Sequence, residues 1–271
     1  MTAHNELADS AIEDVADKLQ TAARTRQPIA PVREMLGADN IDAAYAVQRE
    51  LIDRRVAEGG VIVGRKIGLT SPAVQLQLGV DQPDFGVLLA DMDVSGAGSV
   101  PSQRLLQPKV EAEIAFVLNA DLVGDFDEVE HIRGAVAYAV AALEIVDSRI
   151  SNWDITIADT IADNASAGLF ILGSRRLTLD EFEPREARMR MYVNDQLASH
   201  GDGSACLGDP LNALAWLARA AAAYGEPLRA GQIVLSGALG PMVGAPPGTR
   251  IHTEIAPLGP ISAHFSSPED S

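Results

Sequence analysis

At 271 residues the chain is long enough for one sizeable core, or for a domain with a small appendage. Its 47% hydrophobic and 22% charged residues exclude wholesale disorder, and a net charge of −17 makes a phosphate backbone or an anionic lipid surface a poor partner. Cys206 is the single cysteine, which excludes an internal disulfide and every paired-cysteine zinc or redox site.

From Asn5 to about Arg26, Ala8, Ile12, Val15, Leu19 and Ala22 recur at three- and four-residue steps, the spacing of one helix face. Pro28 and Pro31 interrupt that helix, and a second is expected from an Asn40 cap to Gly59 and Gly60, burying Ala44, Val47, Leu51 and Ile52. Residues 1–60 therefore read as a small helical region. The β-branched run Val61 to Ile67 then predicts a strand, and Ser71 with Pro72 opens a short helix to Leu78. Further strands are expected at 87–89, 110–118, 139–146, 168–172, 188–193, 233–235 and 250–255, with helices near 127–138 and 211–224. Strands outnumber helices without βαβ alternation, so the class is α+β, with a β-rich catalytic domain over 61–263 and a flexible tail at 264–271. No apolar run reaches the roughly 20 residues of a membrane helix, and the start lacks the basic and apolar regions of a signal peptide. A cytoplasmic protein without a membrane partner is expected.

The most informative segment is Lys109 to Leu118. In a strand, Val110, Ala112, Ile114, Phe116 and Leu118 line one face, which leaves Glu111 and Glu113 together on an otherwise apolar second face. Two carboxylates there repel, and burying either unpaired costs several kcal/mol or forces protonation. Glu144 is a third acid, alone in the apolar run from Ala135 to Val146. Three acids without a cysteine or a histidine pair form an all-oxygen set that suits Mg²⁺ or Mn²⁺ rather than zinc. A solvated edge face for Glu111 and Glu113, and pairing of Glu144 with Arg149 or Arg133, remain the alternatives. Spacing does not bring Glu144 to the other two.

In Gly64-Arg-Lys-Ile-Gly68 alternation sends Arg65 and Lys66 to opposite faces, so one of them is expected to point inward. A buried lysine could hold a substrate carboxylate or move a proton, whereas a snorkelling one would do neither. The glycines fit neither a dinucleotide fingerprint nor a phosphate loop. Asp84 projects from the turn Gln82-Pro-Asp-Phe-Gly86, and the small-residue loops 162–168 and 235–241 could admit a ligand to backbone groups. The five histidines show no ligand spacing, no nucleophile elbow is present, and Cys206 reads as a packing residue.

Seven motifs carry a resemblance: Pro28 to Pro31, Gly64 to Thr70, Leu78 to Gly86, Pro108 to Ala115, Ala142 to Arg149, Ala162 to Ser166 and Leu235 to Leu239. Over nearly its whole length the chain resembles the 2-hydroxypenta-2,4-dienoate hydratases (2-keto-4-pentenoate hydratases) of the fumarylacetoacetate hydrolase superfamily. The resemblance implies a mixed β-rich core of that superfamily's type with a small helical N-terminal part. It implies a metal triad at Glu111, Glu113 and Glu144 holding Mg²⁺ or Mn²⁺, catalytic Lys66 and Asp84, and substrate-pocket positions at Asn164, Ser166 and Ser236. The implied reaction is addition of water to 2-hydroxypenta-2,4-dienoate, or a short alkyl homologue, in meta-cleavage catabolism of aromatic or steroid rings. The 4-oxalocrotonate decarboxylases share most of these motifs and supply the alternative, and a non-catalytic partner subunit ranks below both. The resemblance further implies a homo-oligomer acting on a small 2-hydroxydienoate, with a downstream aldolase or dehydrogenase as candidate partner. Asp209 is one departure, where relatives often carry His or Asn.

Overall fold

The computed structural model describes residues 3–71, 75, 82–123 and 129–267. In chain order its elements are α1 (Ala3–Thr25), α2 (Arg33–Leu36), α3 (Ile41–Ala57), β1 (Ile62–Gly68), β2 (Asp84–Leu89), β3 (Lys109–Leu118), α4 (Val129–Gly134), β4 (Val136–Val146), α5 (Ile157–Ala162) and β5 (Ala167–Leu172). There follow β6 (Arg188–Val193), β7 (Gln196–Asp202), α6 (Pro210–Ala223), β8 (Ile233–Ala238), β9 (Val243–Gly244), β10 (Arg250–Ala256) and β11 (Gly259–His264). The fold is α+β, built on two mixed or antiparallel sheets.

The larger sheet runs β2-β1-β8-β3-β4-β5, with β9 paired to the start of β3. Its β1 and β8 are parallel, and its other pairings are antiparallel. The second sheet is β11-β10-β6-β7. Strand β10 alternates Ile251, Thr253 and Ile255 inward with Arg250, His252 and Glu254 outward, the pattern of a sheet with one wet face. By contrast β2 and the middle of β3 and β4 are buried throughout, because both faces of the central sheet are covered.

The helical N-terminal region shares its core with the sheets. Val15, Ala16 and Leu19 of α1 and Ala44 and Val47 of α3 join one apolar cluster with Ile114, Phe116 and Leu143. Asn40 caps α3 as expected, its Oδ1 accepting from Ala43 N at 3.2 Å. Asp209, the departure noted above, caps α6 by accepting from Leu211 N at 2.8 Å.

Several boundaries differ from the sequence reading. The helix expected at 127–138 is α4 alone, and Val136 to Tyr138 already belong to β4, because pairing of Val136 with Leu118 decides an alanine-rich run that periodicity leaves ambiguous. Strands β7, β9 and β11 and helix α5 were not anticipated. β7 is polar and lies at a sheet edge, and its signal was the turn at Asn194 and Asp195, both left-handed with φ of 49° and 67°. The tail begins later than residue 264, since His264 pairs with Arg250 and Phe265 is fully buried. The helix expected at 71–78 and the motif stretch Leu78 to Asp81 lie outside the described residues, apart from Ser71 and Gln75.

Asp159 of α5 ties the helical region to the rest. Its fully buried carboxylate accepts from Val32 N and Arg33 N, each at 2.8 Å, pairs with Arg33 at 2.8 Å, and accepts from Thr156 N at 2.9 Å. Asp159→Ala leaves those buried N–H groups unpaired, with an expected loss of about 3 kcal/mol. Urea unfolding checks this, and a loss below about 1 kcal/mol would refute the tie.

Candidate active site

Strands β3 and β4 set three acids on one face. Glu111 lies directly opposite Glu144 in the ladder, and Glu113, two residues on, lies between Ala142 of β4 and Ala238 of β8. One carboxylate oxygen from each comes within 4.8 Å of the others. Glu113 and Glu144 are 0% and 1% exposed, so a solvated edge is ruled out for this face. Arg149 pairs with Asp163 and Arg133 with Glu183, which leaves Glu144 to a different partner.

That partner is Lys66. Arg65 and Lys66 do leave β1 on opposite faces, but both are buried: Arg65 reaches Glu226 at 2.6 Å and Lys66 Nζ lies 3.1 Å from Glu144 Oε1. Burial works against the Lys66 ammonium, yet Glu144, Asp84, Glu111 and Glu113 outweigh it and hold its pKa above that of an ordinary lysine. Asp84 stands across the β1–β2 ladder from Gly68 and accepts from Thr160 Oγ1 at 3.0 Å. Burial raises its pKa against the pull of Lys66 and that hydroxyl. A Cβ at Gly68 would meet Asp84 Oδ1 at 2.1 Å, so only glycine lets the two strands approach here.

The carboxylates are under-compensated. Glu113 Oε2 accepts from Gly237 N at 2.8 Å, whereas Glu113 Oε1 and Asp84 Oδ1 have no hydrogen-bond partner. Neither oxygen of Glu144 receives a well-directed hydrogen bond, although Oε1 keeps its ion pair with Lys66. Burial, then the charges of Glu144 and Glu111, pushes Glu113 well above the usual carboxylate range, and burial with Glu144 pushes Glu111 up to about 7. Unsatisfied, buried, all-oxygen donors that converge on one point fit a hard divalent cation and do not fit zinc.

The acids border a cavity of about 270 Å³ whose walls include Lys66, Asp84, Glu111, Thr160 and Ser166. Leu69, Val146, Trp153, Ile155 and Met242 give it an apolar side, and Lys109 adds a second cation. Ser166 lies where the sequence placed it, with its Oγ 3.5 Å from Thr160 Oγ1. Asn164 does not line the cavity, because its amide is spent on β2, accepting from Val87 N at 2.8 Å and donating to Val87 O at 3.0 Å. Ser236 is fully buried outside the cavity lining, its Oγ 3.5 Å from Gly237 O. Sequence reasoning missed Thr160, Lys109 and Trp153. The first had no signal inside the apolar run of α5, while Lys109 was legible as the residue two before Glu111 on the same face.

Comparison with known proteins agrees with this geometry. A 2-keto-4-pentenoate hydratase of Paraburkholderia phymatum is 50% identical over 258 residues, 95% of this chain and 98% of its own. A 2-hydroxyhexa-2,4-dienoate hydratase of Comamonas testosteroni is 39% identical over 94% of this chain and 97% of its own. The solved structure of 4-oxalocrotonate decarboxylase from Pseudomonas putida G7, complexed with magnesium and adipate, superposes with a TM-score of 0.89 at 33% identity, covering 98% of this chain and 99% of that one. The model of the fumarylacetoacetate (FAA) hydrolase C-terminal family matches residues 63–266, the whole of both sheets apart from the first residue of β1, and the chain belongs to that family.

Proposed function

We propose that this chain is a divalent-metal-dependent hydro-lyase that adds water to 2-hydroxypenta-2,4-dienoate, or a short alkyl homologue, to give a 4-hydroxy-2-oxoalkanoate. The observation that carries the reading is the convergence of unsatisfied buried carboxylate oxygens beside Lys66 and Asp84, in a chain that matches dienoate hydratases almost end to end. Glu111, Glu113 and Glu144 would hold the ion, Mg²⁺ or Mn²⁺ by their oxygen chemistry. Bound there, it supplies Lewis-acid stabilisation of the developing 2-oxo group.

The chain's own residues account for the remaining steps. Hydration requires a proton at C5 of the dienol, which yields an α,β-unsaturated 2-oxo acid electrophilic at C4, and then attack of water at C4. Asp84 Oδ1, unpaired and with a raised pKa, holds and delivers the C5 proton. The Lys66 ammonium, kept charged by its carboxylate neighbours, offsets negative charge on the substrate oxygens. Thr160 and Ser166 hydroxyls orient the water, while Asn164 and Ser236 act through the backbone they support. The apolar wall from Leu69 to Met242 takes the hydrocarbon end of the substrate.

A second reading, decarboxylation of a 2-oxo-enedioate at the same ion, has one observation in its favour: the Lys109 cation in the cavity wall. A non-catalytic subunit has none, since every chemical group the reaction needs is assembled. Among the described residues no helix is long and apolar enough to cross a membrane. We place the enzyme in the cytoplasm as a homo-oligomer acting in ring catabolism.

NMR of products from 2-hydroxypenta-2,4-dienoate and 4-oxalocrotonate, with metal-loaded and chelator-treated protein, decides between the two reactions. Metal-dependent 4-hydroxy-2-oxopentanoate is expected from the first; carbon dioxide from the second alone would sink the hydratase. Lys66→Met should lower kcat about 10²- to 10⁴-fold while the protein still binds Mg²⁺ by calorimetry, and full turnover would remove Lys66 from the chemistry. Chelation should lower Tm, because an ion held at about 100 times its Kd stabilises by about 2.7 kcal/mol; an unchanged Tm would argue against an ion at the triad.

A further inference from the structure

The wall of the cavity at the start of β3 is built around a cation that no protein carboxylate claims. Lys109 lies two residues before Glu111, so its side chain leaves the strand on the same face as the acids, roughly 7 Å along from Glu111. Its Nζ stands 4.3 Å from the centre of the Trp153 ring, and among the described residues no acid lies within ion-pair distance of it. Lys66 differs in this respect, since its charge is taken up by Glu144.

Trp153 is fixed for this contact. Asn152 and Trp153 are both left-handed, with φ of 60° and 57°, a conformation that costs each residue free energy unless its surroundings impose it. Gln107 imposes it. Its Nε2 donates to Ser148 O at 2.9 Å and Ile150 O at 2.8 Å, its Oε1 accepts from Asn152 N at 2.8 Å, and its backbone O accepts from Trp153 Nε1 at 3.0 Å. Gln107 N in turn donates to the buried Asp147 carboxylate at 2.6 Å. The indole therefore presents a rigid platform, and the lysine stem lies along it with the ammonium directed to the cavity it lines.

We propose that Lys109, braced on Trp153, is a second anion subsite that takes the distal carboxylate of a linear six-carbon 2-oxo diacid. The proposal rests on the reading above, in which the 2-oxo acid end of the ligand sits at the three glutamates. The separation along β3 is one that a six-carbon diacid spans and a four-carbon diacid does not. The apolar wall alone would accept an alkyl tail; Lys109 lets the same cavity accept a tail that ends in charge. The site is thus a dual-specificity one, admitting neutral-tailed dienoates and the diacids of the neighbouring reaction class.

Calorimetry on the Mg²⁺-loaded full-length chain tests this with two unreactive probes of equal length, 2-oxohexanoate and 2-oxoadipate. The diacid is expected to bind about tenfold more tightly. Lys109→Met should bring the ratio of the two affinities to about one, and Lys109→Arg should restore it. A ratio near one in the natural protein overturns the subsite. So does an equal loss for both probes in Lys109→Met, which would place Lys109 at the shared carboxylate end or in a structural role. Turnover of 2-hydroxypenta-2,4-dienoate is measured separately: no turnover with the ratio intact defeats the hydratase reading and leaves the subsite standing. Failure of either probe to bind at all defeats the chelating end and the subsite together.

Discussion

Four buried carboxylates, Glu111, Glu113, Glu144 and Asp84, face one buried ammonium, Lys66. Removing each of these charges from water costs several kcal/mol, and a single lysine cannot compensate four acids. The surrounding architecture acts to hold that imbalance in place. The antiparallel β3–β4 ladder puts Glu111 against Glu144, and a slip of one residue would turn the acids of one strand to the opposite face. Gly237 N and Thr160 Oγ1 each satisfy one oxygen, and the oxygens left over converge on a single point.

The helical N-terminal region takes part in this arrangement from behind. Gln48 of α3 donates to Phe85 O at 2.9 Å and to Ile161 O at 3.0 Å, both deep in the core. Phe85 N donates to Tyr45 Oη at 3.3 Å, and the two rings stack with centroids 4.6 Å apart. Strand β2, which carries Asp84, is therefore pinned to α5, which carries Thr160. On its other side Asn164 pairs both amide groups with Val87. Asn164, Ala165 and Ser166 are all left-handed, with φ of 55°, 52° and 53°, and this run turns the chain sharply so that Ser166 reaches the cavity.

The sequence exposed the acids because charge on an apolar strand violates binary patterning, and it exposed Lys66 by the same logic. It also yielded α1, α3, α6 and the central strands, whose periodicities are strong. What it could not reveal depends on contacts remote in the chain. Glu144 meets Glu111 only through strand register, and Asn164 looks like a pocket residue until its amide is seen on Val87. Thr160 is an ordinary helix residue until α5 docks against β2. The edge strand β7 escaped because polar residues and glycine mask its alternation, while its left-handed turn at Asn194 and Asp195 was a usable cue.

The close approach at Gly68 bears on how such a site can diversify. A side chain there would strike Asp84, and one at Gly237 would meet Thr70 Oγ1 at 2.3 Å on a backbone already at φ 106°. The inner end of the cavity is therefore closed to mutational exploration from β1 and β8. The loop bearing Trp153 and the turn bearing Met242 are under no such restriction, being partly exposed and remote from the carboxylates' hydrogen bonds. Lineages built on this scaffold would keep one invariant reaction centre and change the molecules they accept by substitution along the outer wall, so that a new activity arises without reassembling the chemistry.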